Sequence, residues 1–148
     1  MKQPEYTWDA EYGIATCTIF YNNKTFTGTA NCHPEDTDVM SRLTGQIIAE
    51  TRATISYLSH IRDNELRPQL NSLLQLYYSM NRSKNFNPKS YEAKMLYRQI
   101  TLIKNDLEAI KEEITNIKQN LKDYINQKEL SYKKIREVIS KRDLAEYN

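Results

Sequence analysis

The chain reads as an α+β protein: a small N-terminal antiparallel β-sheet followed by two long antiparallel α-helices, a helical hairpin, in an oligomeric assembly. Three observations lead there. Residues 12–21 (YGIATCTIFY) are dense in β-branched and aromatic side chains, which favour strands. Beyond residue 36 the apolar spacing lengthens from two to alternating threes and fours, the mark of helices. Only three Gly and four Pro occur in 148 residues, too little turn chemistry for a many-looped doubly wound enzyme. The chain is polar, with a mean hydropathy of -0.76. Its 11 Tyr and dense Ile/Leu set still exclude a disordered tail.

The reading gives one domain over 1–148, with sheet at 1–35, a first helix at 36–80, a connector at 81–90 and a second helix at 91–142. In the main strand, Ala15, Cys17, Ile19 and Tyr21 share one face, and Ile14, Thr16, Thr18 and Phe20 the other. Asn22-Asn23 suits a tight turn, because Asn tolerates left-handed backbone. Lys24 to Asn31 then returns antiparallel, and Glu5 to Asp9, with Trp8, adds a short third strand. Such a sheet needs helices to cover it. His33-Pro34-Glu35-Asp36 closes the strand region, and Asp36, Thr37 and Asp38 supply caps for the helix that follows.

In the first helix, Leu43, Ile47, Ile55, Leu58 and Ile61 share a face, continued by Leu66, Leu70, Leu73, Tyr77 and Met80. Pro68 lies inside this pattern and should kink or interrupt it, since it removes the backbone bond to residue 64. Asn81 to Ser90 (NRSKNFNPKS) breaks the period. In the second helix the rows Leu96, Ile103, Ile110, Ile117, Tyr124 and Ile100, Leu107, Ile114, Leu121 alternate as in a coiled-coil seam. Tyr132, Ile135 and Ile139 extend it less regularly. A helix from 90 to 142 would run roughly 75 Å, too long for a monomeric globule of this mass. Self-association is therefore expected.

Net charge is +2, too balanced overall to argue for a nucleic-acid groove, although residues 1–37 carry -3 and residues 81–148 carry +5. Cys17 and Cys32 stand in no metal spacing, and His33 and His60 do not cluster with them. The two thiols read best as small buried hydrophobes, with a disulfide as the alternative if they lie on paired strands. No apolar run reaches the length of a membrane span or a secretion signal, so a cytosolic protein is expected, without membrane, DNA or RNA partners.

No catalytic set is visible. Gly13, Gly28 and Gly45 are dispersed, so there is no phosphate-cradling loop. Adjacent Cys32 and His33 lack an orienting third group. Helix capping explains Glu35, Asp36 and Asp38 more simply than a metal does. The connector carries more chemistry. Arg82, Lys84 and Lys89 suit phosphates, Phe86 suits stacking on a base, and Asn81, Asn85 and Asn87 offer amides. The same residues also suit a plain interhelical turn with Phe86 as its packing plug. Gly28, within TFTGTAN, allows close backbone approach, or marks an edge strand or bulge.

The runs YTWDAEYGIATCTIFYNNKTFTGTA, CHPED, GQIIAETRATISYLSHIRDNELRPQL and LYYSMNRSKNFNPKSYE resemble the first Thoeris anti-defence family of phage proteins, over about residues 5–140. FNPKSYE and TFTGTA with CHPED are the most specific pieces. The resemblance implies a sheet-and-two-helix protein assembled as dimers or hexamers in the cytoplasm of an infected bacterial host. It implies a non-catalytic sponge for glycocyclic ADP-ribose (1″-2′ or 1″-3′) made by TIR-domain proteins, needing no cofactor or metal. It leaves room for cyclic di- or trinucleotides at a separate site. By motif position it implies Arg52 of ETRAT as a phosphate contact, Tyr77 of LYYSM as a stacking platform and Asn87 of FNPKS as a polar contact. Lys104 of LIKND stands where the family is expected to use a cation, often Arg; Lys lacks the planar fork of Arg. The Gly28, Ala30 and Asn31 backbone is a weaker implication. Phe86 enters from the connector chemistry alone. A coiled-coil adaptor with a protein partner is the alternative.

Overall fold

The computed structural model describes residues 2–31 and 42–146, with side chains described as far as residue 142. Cys32, His33 and the expected caps Asp36, Thr37 and Asp38 lie outside the described residues. Strands β1 (Glu5–Asp9), β2 (Ile14–Tyr21) and β3 (Lys24–Asn31) form one antiparallel sheet in the order β1-β2-β3. The helices are α1 (Arg42–His60), α2 (Arg67–Asn81) and α3 (Tyr91–Glu146), and a π-helical turn, Ile61–Leu66, joins α1 to α2. The α+β class and its element order are therefore as read from the sequence. Among the described residues no helix is long and apolar enough to cross a membrane.

Local chemistry accounts for the joints. Asp9 Oδ1 accepts the N–H groups of Glu11 and Tyr12, at 3.0 and 3.2 Å, and Gly13 takes a positive φ of 64° to enter β2. Asn22 and Asn23 both adopt positive φ, 47° and 61°, in the two-residue turn closed by the Tyr21–Lys24 pair. Arg67 N–H donates to the Arg62 carbonyl, five residues back, immediately before Pro68. The helix thus accommodates the missing proline donor by widening one turn rather than stopping. Ser90 starts α3: its Oγ accepts the Ala93 N–H at 3.2 Å.

The chain divides into two compact units, Met1–Tyr57 with Asn116–Asn148, and Leu58–Thr115. In the first, Ala15, Cys17 and Ala30 of the sheet meet Ile48, Ala49 and Ala53 of α1, with Trp8, Ile19, Leu121, Tyr124 and Ile125 packed around them. The strand faces follow the expected alternation: Trp8, Ala15 and Ala30 lie in register on the inner face, as do Cys17 with Gly28 and Ile19 with Phe26. Cys17 is free and buried. Burial pushes its thiol pKa up, and the charge of Glu50 adds to that.

The start of α1 differs from expectation, while Ile55, Leu58 and Ile61 of the expected face are half-buried. Leu43 is 66% exposed and Ile47 37%, while Thr44, Gly45, Ile48, Ala49 and Ala53 are buried. The cause lies opposite, at Gly28. A Cβ there would collide with the backbone oxygen of Ala49 and nitrogen of Ala53, and would lie 2.9 Å from the Arg52 carbonyl carbon. A backbone-to-backbone approach this close admits only small side chains, so α1 turns its small-residue face to the sheet.

In the second unit the α3 seam is as the spacing predicts. Leu96, Ile100 and Ile114 are buried, and Ile103, Leu107 and Ile110 half-buried. Leu73 of α2 and Ile103 of α3 line an open groove of about 590 Å³ with Pro68, Gln69, Ser72, Gln99 and Leu102.

Candidate functional site

The eight residues singled out from the sequence fall into two groups and one outlier. Gly28, Ala30, Asn31 and Arg52 lie in the first unit, where β3 meets α1. Ala30 is 2% exposed, its methyl inside the core, so this position offers only backbone to any ligand. Gly28 is where α1 makes its closest approach, so the room left by its missing side chain is taken by the helix. Arg52 is exposed, and its Nη1 donates to the Thr29 carbonyl at 2.7 Å. One donor of the guanidinium is thereby anchored on β3, and the remaining N–H groups of its planar fork make no hydrogen bond among the described residues. No carboxylate pairs with Arg52 among those residues.

Tyr77, Phe86 and Asn87 lie in the second unit. The Phe86 ring meets Tyr77 edge-to-face, with centroids 6.1 Å apart at 83°, and Tyr77 meets Tyr78 at 6.4 Å and 70°. Both Tyr77 and Phe86 are half-buried, so Phe86 plugs the connector against α2. The connector is held by its own backbone. Ser83 N–H donates to the Met80 carbonyl, Phe86 N–H to that of Ser83 and Ser90 N–H to that of Asn87, at 3.0–3.2 Å. Asn87 Oδ1 accepts the Lys89 N–H at 3.0 Å, which makes Asn87 the organiser of this turn while Ser90 caps α3. The Asn87 side-chain NH₂ makes no hydrogen bond among the described residues. Lys104 stands exposed on α3 and joins neither group by any hydrogen bond, ion pair or ring contact.

Two arrangements carry no sequence signal strong enough to single out beforehand. Tyr57 of α1 lies edge-on to Tyr21 and Phe26, with centroids at 5.2 and 5.6 Å. It is a long-range cluster that only the sheet register creates. Arg62 and Arg67 both pair with Asp63 Oδ1, each at 2.8 Å, across the π-helical turn. The Arg62 hydrogen bond holds the Asp63 carboxyl below its ordinary range, and the charges of Arg62 and Arg67 add to it. The i,i+4 spacing of Asp63 and Arg67 is the one part of that network legible locally. No group of three or more His, Cys, Asp or Glu suited to a metal occurs among the described residues.

Compared with protein-family models, curated proteins and solved structures, the chain matches none.

Proposed function

We propose that the chain is a non-catalytic sponge that binds glycocyclic ADP-ribose and withholds it from its effector, as the resemblance in TFTGTA, CHPED and FNPKSYE implies. The observation that carries the reading is Arg52. A guanidinium anchored by one bond to β3, exposed and with no other partner among the described residues, suits the charge-assisted bonds a diphosphate requires. Separately, within the second unit, the Tyr77–Phe86 pair and the Asn87 side-chain NH₂, unbonded among the described residues, offer an aromatic surface and a polar contact of the kind a base takes. On this reading the protein is of phage origin and works in the cytoplasm of the infected host. It acts as a dimer or hexamer, and Lys104 supplies a further cation.

Sequestration demands tight binding: a nanomolar constant corresponds to about -12 kcal/mol. The test is to mix protein with the cyclic nucleotide, remove the protein by filtration, and follow free ligand by chromatography before and after heating. Depletion followed by intact recovery is expected. Recovery of linear ADP-ribose overturns the sponge and makes the protein a hydrolase. Arg52→Ala should weaken depletion while the fold and the sedimentation coefficient stay unchanged, because the side chain is exposed. Loss of the oligomer instead would give Arg52 a structural role.

A second reading has its own support. Leu130, Ile135, Val138 and Ile139 are 62%, 44%, 52% and 46% exposed near the end of α3. Apolar side chains left open at helical spacing favour a coiled-coil adaptor with a protein partner. Flat calorimetric titrations with glycocyclic ADP-ribose would select that reading.

A further inference from the structure

The overall balance of charge conceals a strongly polarised segment. Residues 82–104 hold six cations (Arg82, Lys84, Lys89, Lys94, Arg98 and Lys104) against one carboxylate, Glu92. The next eleven residues reverse the sign, with Asp106, Glu108, Glu112 and Glu113 against Lys111. None of the six cations forms an ion pair among the described residues, and all six are exposed. Their positions are fixed. Arg82 closes α2, with its N–H on the Tyr78 carbonyl at 3.1 Å. Lys84 and Lys89 ride on the hydrogen-bonded connector. Tyr91, Lys94 and Arg98 follow at i, i+3 and i+7 on one solvent face of α3. Tyr91 is 73% exposed, and Tyr97, three residues beyond Lys94, is 63% exposed. Both rings thus flank a cation in the open, where neither packs into a core.

We infer that this end of the helical hairpin binds the phosphodiester chain of a single-stranded nucleic acid. Five exposed cations spread from Arg82 to Arg98, none in an ion pair among the described residues, match a run of phosphates better than one isolated anion. Open tyrosine faces match unpaired bases, which a duplex keeps stacked inside. An acidic protein would use the charge and leave the rings idle, and a membrane surface would take the rings without needing the cations spaced as a run of phosphates. The surface does not involve Arg52, the residue that carries the sponge reading, although its connector lysines flank Phe86 and Asn87.

The test is fluorescence anisotropy of labelled oligo-dT and oligo-rU, about 20 nucleotides long, with the full chain. Both should bind at low salt, and the affinity should fall with a log–log salt slope of about -3.5 for five contacting cations. Tyr91→Ala should weaken binding about tenfold, the scale of one lost base–aromatic stack. Lys84→Glu/Lys89→Glu, and separately Arg98→Glu, should weaken it further with circular dichroism unchanged. Arg52→Ala should leave it untouched while it weakens depletion of glycocyclic ADP-ribose, so failure of this inference and failure of the sponge reading are told apart. Three results overturn the inference: no binding at low salt, binding indifferent to both charge reversals, or equal affinity for polyglutamate or phosphatidylserine vesicles.

Discussion

The sheet-bearing unit and the helical-hairpin unit bury apolar surface in opposite ways. In the first, the contact between β3 and α1 is made by Gly28, Ala49 and Ala53, with no side chain larger than a methyl at the closest point. In the second, Leu96, Ile100 and Ile114 are buried but Ile103, Leu107 and Ile110 are only half-buried, and Leu76 and Leu102 are each 53% exposed. Short side chains bring backbones together and leave nothing that can yield. Long side chains at a partly open seam keep rotameric freedom and room to repack. The first unit should therefore be intolerant of added volume, and the second tolerant even of its removal.

The sharpest test adds one carbon to the first unit. In Gly28→Ala the new methyl would meet the backbone of Ala49 and Ala53, which no rotamer change relieves. A loss of about 3 kcal/mol is expected, the upper range for overpacking, because α1 must lift from the sheet. Urea denaturation measures it. The same displacement would pull Arg52 from the Thr29 carbonyl, so the variant should also lose any ligand binding that depends on Arg52. A loss below that of the next variant would dissolve the contrast between the units.

Leu107→Ala removes three carbons from the seam of the second unit. Leu107 is half-buried, so about half of its transfer free energy is at stake and only a small cavity forms. The expected cost is about 1.5 kcal/mol, less than that of a single methyl added at Gly28. Chemical denaturation of both variants, read side by side, decides the order.

The two units were also unequally legible from sequence. The α3 seam could be read residue by residue, because a sustained alternation of fours and threes leaves little choice of face. The Asn22-Asn23 turn was legible because few residues other than Gly accept positive φ at two successive positions. The face at the start of α1 was not. Local periodicity favours Leu43 and Ile47, the bulky apolar side chains, and both are exposed. What turns the helix is a glycine on β3, more than twenty residues from Ala49 and Ala53 in sequence, and nothing within α1 announces it. The Arg52 bond to the Thr29 carbonyl and the Tyr57 ring contacts escaped for the same reason: they are products of register between distant elements. Pro68 pointed to a disturbance in the first helix, but not to its form, a widened turn with Asp63 clasped by Arg62 and Arg67.

The smallest expected effect lies at the start of α3, where two polar side chains divide the work of one boundary. Ser90 Oγ satisfies the Ala93 N–H, and Asn87 Oδ1 satisfies the Lys89 N–H in the turn before it. Ser90→Ala removes the cap alone and should cost about 1 kcal/mol, since the first-turn amide loses its acceptor. Hydrogen exchange should register the loss at Ala93 and its neighbours while protection at Ile114 stays unchanged, because a frayed first turn need not open the seam. The connector lysines ride on the Asn87 turn rather than on the cap, so oligonucleotide binding should survive Ser90→Ala and weaken in Asn87→Ala. Were the two variants to weaken it equally, the cap and the turn would be one cooperative unit, and the helical-hairpin end would be as unforgiving as the contact at Gly28.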